Sequence, residues 1–251
     1  MQMIWYDAGG VRRLTCGAVL IDPQWVLTAR HCALNRDKVP GTDTWVMETF
    51  RVRGGGLFTS GPMQEFGISQ VVTLGPYAPA QGNRFWVQND IMLLRLDRPA
   101  QLTGPQALTP VRLPRRSAEL PAPGETVKVS GWGNTARREA GVSVASAGDS
   151  TSDRLKFALV AVTTPAQCAA QYGGREPLPD TVMCAQFRAE DLRRNETAGV
   201  RTTCQGDSGG PLVFEGEALI GHLARANPLS RLIAAGMPAL AVFVGPSAYV
   251  T

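Results

Sequence analysis

The 251-residue sequence predicts an all-β fold, and three observations carry that prediction. Helical periodicity is scarce. Short apolar runs recur between Gly, Pro, Asn or Asp, which is the pattern of a β-sandwich or barrel. A proline-rich stretch, Leu113 to Gly124, parts two halves of similar length, each rich in such runs. In order, the runs are Gly17 to Ile21, Trp25 to Thr28, Ile91 to Leu96, Val127 to Ser130, Phe157 to Val162, Leu212 to Phe214, Leu219 to Leu223 and Leu240 to Val244. Asp22-Pro23-Gln24 joins the first two as a turn. The expected organisation is a β-domain over 1–112, a linker over 113–125 and a second β-domain over 126–251. Asn134 to Asp153 and Gln186 to Thr203 are small and polar enough to be exposed loops.

Composition narrows the function classes. The apolar fraction of 44% and charged fraction of 18% are those of a globular protein. The net charge of +4 comes from 22 Arg against 3 Lys, scattered in pairs such as Arg12-Arg13 and Arg193-Arg194. A nucleic-acid surface needs a concentrated patch, so no nucleic-acid partner is expected. No apolar run reaches the ~18 residues of a membrane helix, and no membrane partner is expected either. The N-terminus shows no basic segment followed by an apolar stretch, so no signal peptide is expected. The arginine-heavy composition points to a bacterial source.

The chain has two histidines, so the search for a catalytic base is short. His31 follows an apolar strand in Thr28-Ala29-Arg30-His31-Cys32. His222, between Gly221 and Leu223, reads as a structural strand residue. Ser208 lies in Gly206-Asp207-Ser208-Gly209-Gly210. Alone, that motif fits a Gly-rich turn or a nucleophile flanked by oxyanion donors, the N–H groups of Gly206 and Ser208. It also satisfies G-x-S-x-G, the nucleophile elbow of α/β-hydrolases. Only 43 residues follow Ser208, which leaves no room for the further strand–helix units of that fold. Asp90 enters the apolar strand Ile91-Met92-Leu93-Leu94. A carboxylate there is costly without a partner. A neutral histidine offering its N–H is one, and the acid would then fix the tautomer that leaves the other nitrogen free for a serine.

Four segments resemble the trypsin/chymotrypsin family of serine proteases: Trp25-Val26-Leu27-Thr28-Ala29-Arg30-His31-Cys32, Asn89-Asp90-Ile91-Met92-Leu93-Leu94, Gly131-Trp132-Gly133, and Cys204-Gln205-Gly206-Asp207-Ser208-Gly209-Gly210-Pro211-Leu212. The resemblance runs from about Cys16 to the C-terminus. It implies two six-stranded antiparallel β-barrels with the active site in the cleft between them. It also implies a serine endopeptidase working through an acyl-enzyme, with His31 as base, Asp90 as orienting acid and Ser208 as nucleophile. It pairs Cys16 with Cys32 and Cys168 with Cys184, each bridge worth about 3 kcal/mol in the chain-entropy model. Disulfides imply a secreted, extracellular protein. The expected partners are a polypeptide substrate and a proteinaceous inhibitor; the expected state is a monomer, with no cofactor and no metal.

The sequence departs from the family in several places. Cys204 has no following cysteine to pair with and is expected as a free thiol. Thr202, six residues before the serine, stands where enzymes cutting after Arg or Lys carry an aspartate. An uncharged floor cannot pair with a buried cation. Ala226 and Ala239 replace glycines of the pocket mouth, which favours small or medium uncharged side chains. Ala224-Arg225-Ala226 replaces Ser-Trp-Gly, whose backbone pairs with substrate. The chain begins after the segment whose new amine inserts beside Asp207 in active members, and it ends where a final helix would begin. The alternative reading is a protease-like binding protein with little or no catalytic activity.

Overall fold

The computed structural model describes residues 1–6, 9–34, 50–73, 78–79, 87–114, 120–134, 151–171, 182–186, 203, 205–214, 218–226 and 240–244, the last two ranges by backbone alone. The described chain is mostly β. In the first half, β1 (Gln2–Tyr6), β2 (Arg12–Gly17), β5 (Phe50–Gly54) and β6 (Gln64–Phe66) form an antiparallel sheet in the order β2-β1-β5-β6. A second sheet runs β3-β4-β10-β7, from β3 (Val19–Asp22), β4 (Trp25–Thr28), β10 (Met92–Leu96) and β7 (Ile68–Thr73). β8 (Ala78–Pro79) and β9 (Val87–Gln88) form a small ribbon.

The chain passes from one four-stranded sheet to the other at two corners. One is Ala18, between β2 and β3, and the other is Gly67, between β6 and β7. Gly67 leaves no room for a side chain, since an added Cβ would stand 2.9 Å from Asp97 Oδ2, and its carbonyl accepts the Asp97 N–H at 3.0 Å. Both sheets feed one core. Met3, Phe50, Val52 and Phe66 come from the first sheet, and Leu20, Val26, Met92, Leu94 and Leu96 from the second. Each large apolar side chain so buried contributes roughly 1.5–3 kcal/mol. β10 shows the alternation that drives this: Met92, Leu94 and Leu96 are buried while Arg95 is exposed.

In the second half, β11 (Thr126–Gly131), β12 (Lys156–Val162), β13 (Val182–Gln186), β16 (Leu240–Val244), β15 (Ala218–Ala226) and β14 (Pro211–Phe214) close into a barrel in that order. Its core holds Val127, Val129, Val160, Val162, Ala185 and Leu212. Among the described residues, two short helices accompany the strands, α1 (His31–Leu34) and α2 (Pro165–Gln171). α2 carries a capping box that sequence reading overlooked. Thr164 Oγ1 accepts the Gln167 N–H at 3.1 Å, Gln167 Oε1 accepts the Thr164 N–H at 2.9 Å, and Pro165 takes the first helical position.

Several sequence expectations change in detail. Gly17 to Ile21 is a corner and not one continuous strand, because β2 ends at Gly17. β1, β2 before Gly17, β5 to β9 and β13 were not anticipated. The two predicted loops lie largely outside the described residues, as does part of the linker.

Candidate active site

His31 opens α1 directly after β4, so its ring is carried by a turn anchored in the second sheet. Asn89 precedes Asp90 with φ of +57°, a left-handed conformation that Asn tolerates better than most residues. Asp90 follows, 4% exposed at its side chain, against 31% for His31. Its two oxygens take different hydrogens. Oδ1 accepts the His31 backbone N–H at 2.8 Å, one of the donors that a helix start leaves without an internal partner. Oδ2 lies 2.8 Å from His31 Nδ1. An ionised Asp90 requires the hydrogen on Nδ1, which leaves Nε2 as an acceptor.

The serine loop is shaped by glycines. The Gly210 N–H donates to Asp207 O at 2.9 Å, closing a turn around Ser208 and Gly209. Gly209 has φ of +77°, as the third position of a type II turn requires, and Gly206 has φ of +97°. The Gly17 N–H donates to Ser208 O at 2.7 Å, and the Gly17 carbonyl accepts Thr28 Oγ1–H at 2.9 Å. Backbone meets backbone here: a Cβ on Gly17 would stand 2.6 Å from Gly210 Cα, and one on Gly209 would collide with Thr28 Oγ1.

The disulfide Cys16–Cys32 lies beside both His31 and Ser208. Cys32 Sγ is 4.0 Å from His31 Nε2 and 3.9 Å from Ser208 O. Among the described residues, no hydrogen bond joins Ser208 Oγ to His31 Nε2. Catalytic hydrogen bonds of this kind commonly tighten only when substrate is bound. Cys16, His31 and Cys32 have the spacing of a metal cluster, but the two sulfurs are bonded to each other and offer no thiolate. Cys168–Cys184 ties α2 to β13, so both implied bridges are present.

Asp207 turns away from Ser208. Its Oδ1 accepts the Gly133 N–H at 2.8 Å, and a Cβ on Gly131 or Gly133 would strike its carboxylate. The Met1 amine donates to Ala18 O at 2.9 Å instead, and burial pulls its pKa down to about 6. His222 lies in β15 opposite Val244 and Pro211. Of the expected pocket residues, Ala224, Arg225 and Ala226 lie in β15, with a register shift between Leu223 and Arg225. Thr202, Cys204 and Ala239 lie outside the described residues. Sequence reading missed Gly17 and Thr28 as supports of the serine, although Gly17 opens a quoted run and Thr28 lies inside the histidine motif.

A buried acid on a histidine, a Gly-framed serine and an all-β chain in two halves define a protease of the serine class. The comparisons agree. The trypsin family model matches residues 3–226, and the chain belongs to the trypsin family of serine proteases, which are hydrolases. It is 37% identical to kallikrein-15 of Saguinus oedipus over 216 residues, covering 86% of this chain and 71% of that protein. Anionic trypsin of Canis lupus familiaris is 32% identical, with 80% and 66% covered. Among solved structures, neuropsin, a serine protease expressed in the limbic system of mouse brain, superposes with a TM-score of 0.64. It is 27% identical, with 97% of this chain and 88% of that one covered. These relatives are mammalian, so the bacterial source inferred from arginine content finds no support.

A second model, a putative FMN-binding domain, matches residues 208–251. The described side chains of that stretch do not fit a flavin phosphate. Ser208 to Phe214 bring no cation or amide side chain, and Leu212 is spent in the barrel core. The trypsin model match ends at Ala226, so Ala239 lies beyond it, while the likeness to neuropsin covers 97% of the chain.

Proposed function

We propose that this chain is a serine endopeptidase in which His31 is the general base, Asp90 orients it and Ser208 is the nucleophile. Nε2 of His31 takes the Ser208 hydroxyl proton as Oγ bonds to the scissile carbonyl carbon. The N–H groups of Gly206 and Ser208 hold the resulting oxyanion. The C–N bond breaks as His31 returns its proton to the leaving amine, and water then releases the acyl group by the same route. The observation that carries this reading is the buried Asp90 carboxylate, 2.8 Å from Nδ1, which leaves Nε2 open to the serine. The oxyanion assignment is supported by φ of +97° at Gly206, a conformation glycine adopts freely.

The finer expectations belong to this reading. Domains over 1–112 and 126–251, each a six-stranded barrel, are supported by the sheet order. If β2–β3 and β6–β7 are each counted as one bent strand, the first half also closes with six. Cleavage after small or medium uncharged side chains rests on Thr202 and Ala226. Secretion is supported by the two disulfides. The partners are a polypeptide substrate and a proteinaceous inhibitor, met by a monomer.

The test is labelling with a fluorophosphonate probe, which reacts with an activated serine. The chain labels and Ser208→Ala does not. Equal labelling of both would sink the assignment, and a peptide library giving cleavage after Arg or Lys would overturn the reading of Thr202.

A further inference from the structure

Outside the cleft, the two halves meet a second time at the surface. Leu57 to Ser60 follow β5, and Thr151 to Leu155 lead into β12. The Leu155 N–H donates to Leu57 O at 2.7 Å, the Thr59 N–H donates to Asp153 O at 2.8 Å, and Phe58 bridges Arg154. The Asp153 side chain doubles this short ladder. Its Oδ1 accepts the Thr59 hydroxyl at 2.6 Å and the Ser60 N–H at 2.8 Å, and its Oδ2 accepts the Ser60 hydroxyl at 3.0 Å. All three donors come from the first half of the chain. The Thr59 hydroxyl, followed by the two Ser60 groups, holds the Asp153 carboxyl below its ordinary pKa.

The far side of the same segment leads to the serine. The Ser152 N–H donates to Trp132 O at 3.1 Å, and Thr151 bridges Asn134. The indole of Trp132 donates to Leu57 O at 3.1 Å. The Asn134 N–H then donates to Gln205 O at 2.8 Å, and the Gly133 N–H to Asp207 Oδ1 at 2.8 Å. Gln205 and Asp207 are the two neighbours of Gly206.

We propose that Asp153 is a positioning residue for the oxyanion loop: it pins segment 151–155 to the first half, and that segment fixes 132–134, which hold Gln205 and Asp207 on either side of Gly206. The proposal rests on the assignment of Gly206 and Ser208 as oxyanion donors. Such donors work only when their places are fixed before the reaction, and a misplacement of 1 Å costs about 10²-fold.

The experiment compares the wild type with Asp153→Ala, Asp153→Asn and the double variant Thr59→Ala/Ser60→Ala. Readouts are kcat and KM on a peptide substrate and amide hydrogen exchange at Gly133 and Asn134. Asp153→Ala removes all three bonds to the carboxylate, and the double variant removes the two from hydroxyls while keeping the Ser60 N–H. Both are expected to lower kcat about 10-fold with KM within about 2-fold, the mark of an interaction felt in the transition state, and to speed exchange at both amides. Asp153→Asn keeps an oxygen for Thr59 and Ser60, and the Ser60 hydroxyl can turn to accept, so it retains kcat within about 3-fold. Unchanged kcat in Asp153→Ala overturns the proposal, as does a change in KM alone, an Asn variant as impaired as Ala, or unaltered exchange at Gly133 and Asn134. If Asp153→Ala does not fold, the double variant decides by the same readouts. Absence of Ser208-dependent labelling in the wild type would fell the reading of function separately, while amide exchange still tells whether Asp153 holds the loop.

Discussion

On one side of the cleft, His31 is fixed by a side chain: one buried carboxylate takes both its backbone N–H and its ring Nδ1. On the other side, the Ser208 backbone is held mainly through main chain, by Gly17, the Asp207–Gly210 turn and two left-handed glycines. The two arrangements fail differently. A side-chain anchor can be cut with little change in packing, because an isosteric amide fills the same space. A main-chain anchor has no atom to remove, and it is broken by adding one.

Asp90→Asn tests the first side and carries the largest effect. The amide cannot hold the productive tautomer, so kcat falls roughly 10³–10⁴-fold while the thermal midpoint moves little. Steady-state kinetics beside a melting curve check this, and a parallel loss of stability would mean that Asp90 mainly supports the fold. Gly209→Ala tests the second side. Strain at φ of +77° adds to collision with Thr28 Oγ1 and the Gly17 carbonyl, so stability falls by about 3 kcal/mol or more in denaturant unfolding. A variant of wild-type stability would show that the close approach relaxes cheaply.

The two disulfides sharpen the contrast, since both span the same separation of 16 residues. Removing either as a Cys→Ala pair should cost about 3 kcal/mol in stability. Only the pair Cys16→Ala/Cys32→Ala should also lower kcat in protein shown to be folded, because Cys32 lies against His31 and Ser208 while Cys168–Cys184 ties α2 to β13. Equal kcat in the two double variants would contradict that.

The smallest effect is at Asp153. Its folded pKa lies below the ordinary 3.8, so its bonds add stability above that pH and lose it as the pH falls through the folded value. Below about pH 4 the melting temperature of the wild type should therefore drop more steeply than that of Asp153→Asn. Parallel slopes would show that Thr59 and Ser60 do not favour the ionised form.

The histidine side was legible in the sequence because its chemistry is scarce. Two histidines leave little choice of base, and an acid entering Ile91-Met92-Leu93-Leu94 has to be explained. β4 also keeps its predicted bounds, Trp25–Thr28, since a turn and a loop punctuate it. β1 was missed because Gln2, Met3 and Ile4 are all buried, so the strand shows no alternation to detect. α2 was missed although Thr164, Pro165 and Gln167 spell out its start. The clasp at Asp153 left no local mark, since it joins residues about ninety positions apart by bonds that any exposed Asp, Thr and Ser could make elsewhere. The pocket expectations at Ala224 to Ala226 rested on a resemblance whose family match stops at Ala226.

The contact of Gly17 with Gly209 and Gly210 has a consequence for descent. Gly17 lies almost two hundred residues before the other two; a Cβ on it would strike the Gly210 backbone, one on Gly209 would strike the Gly17 carbonyl and Thr28 Oγ1, and one on Gly210 would strike Asp207 O. A methyl group gained at any one of them cannot be offset by a smaller residue at the others, because none exists. Sequence drift is therefore blocked at all three together. In hybrids made by exchanging halves between relatives, the partners will fit at this seam only if both parents kept the same three glycines.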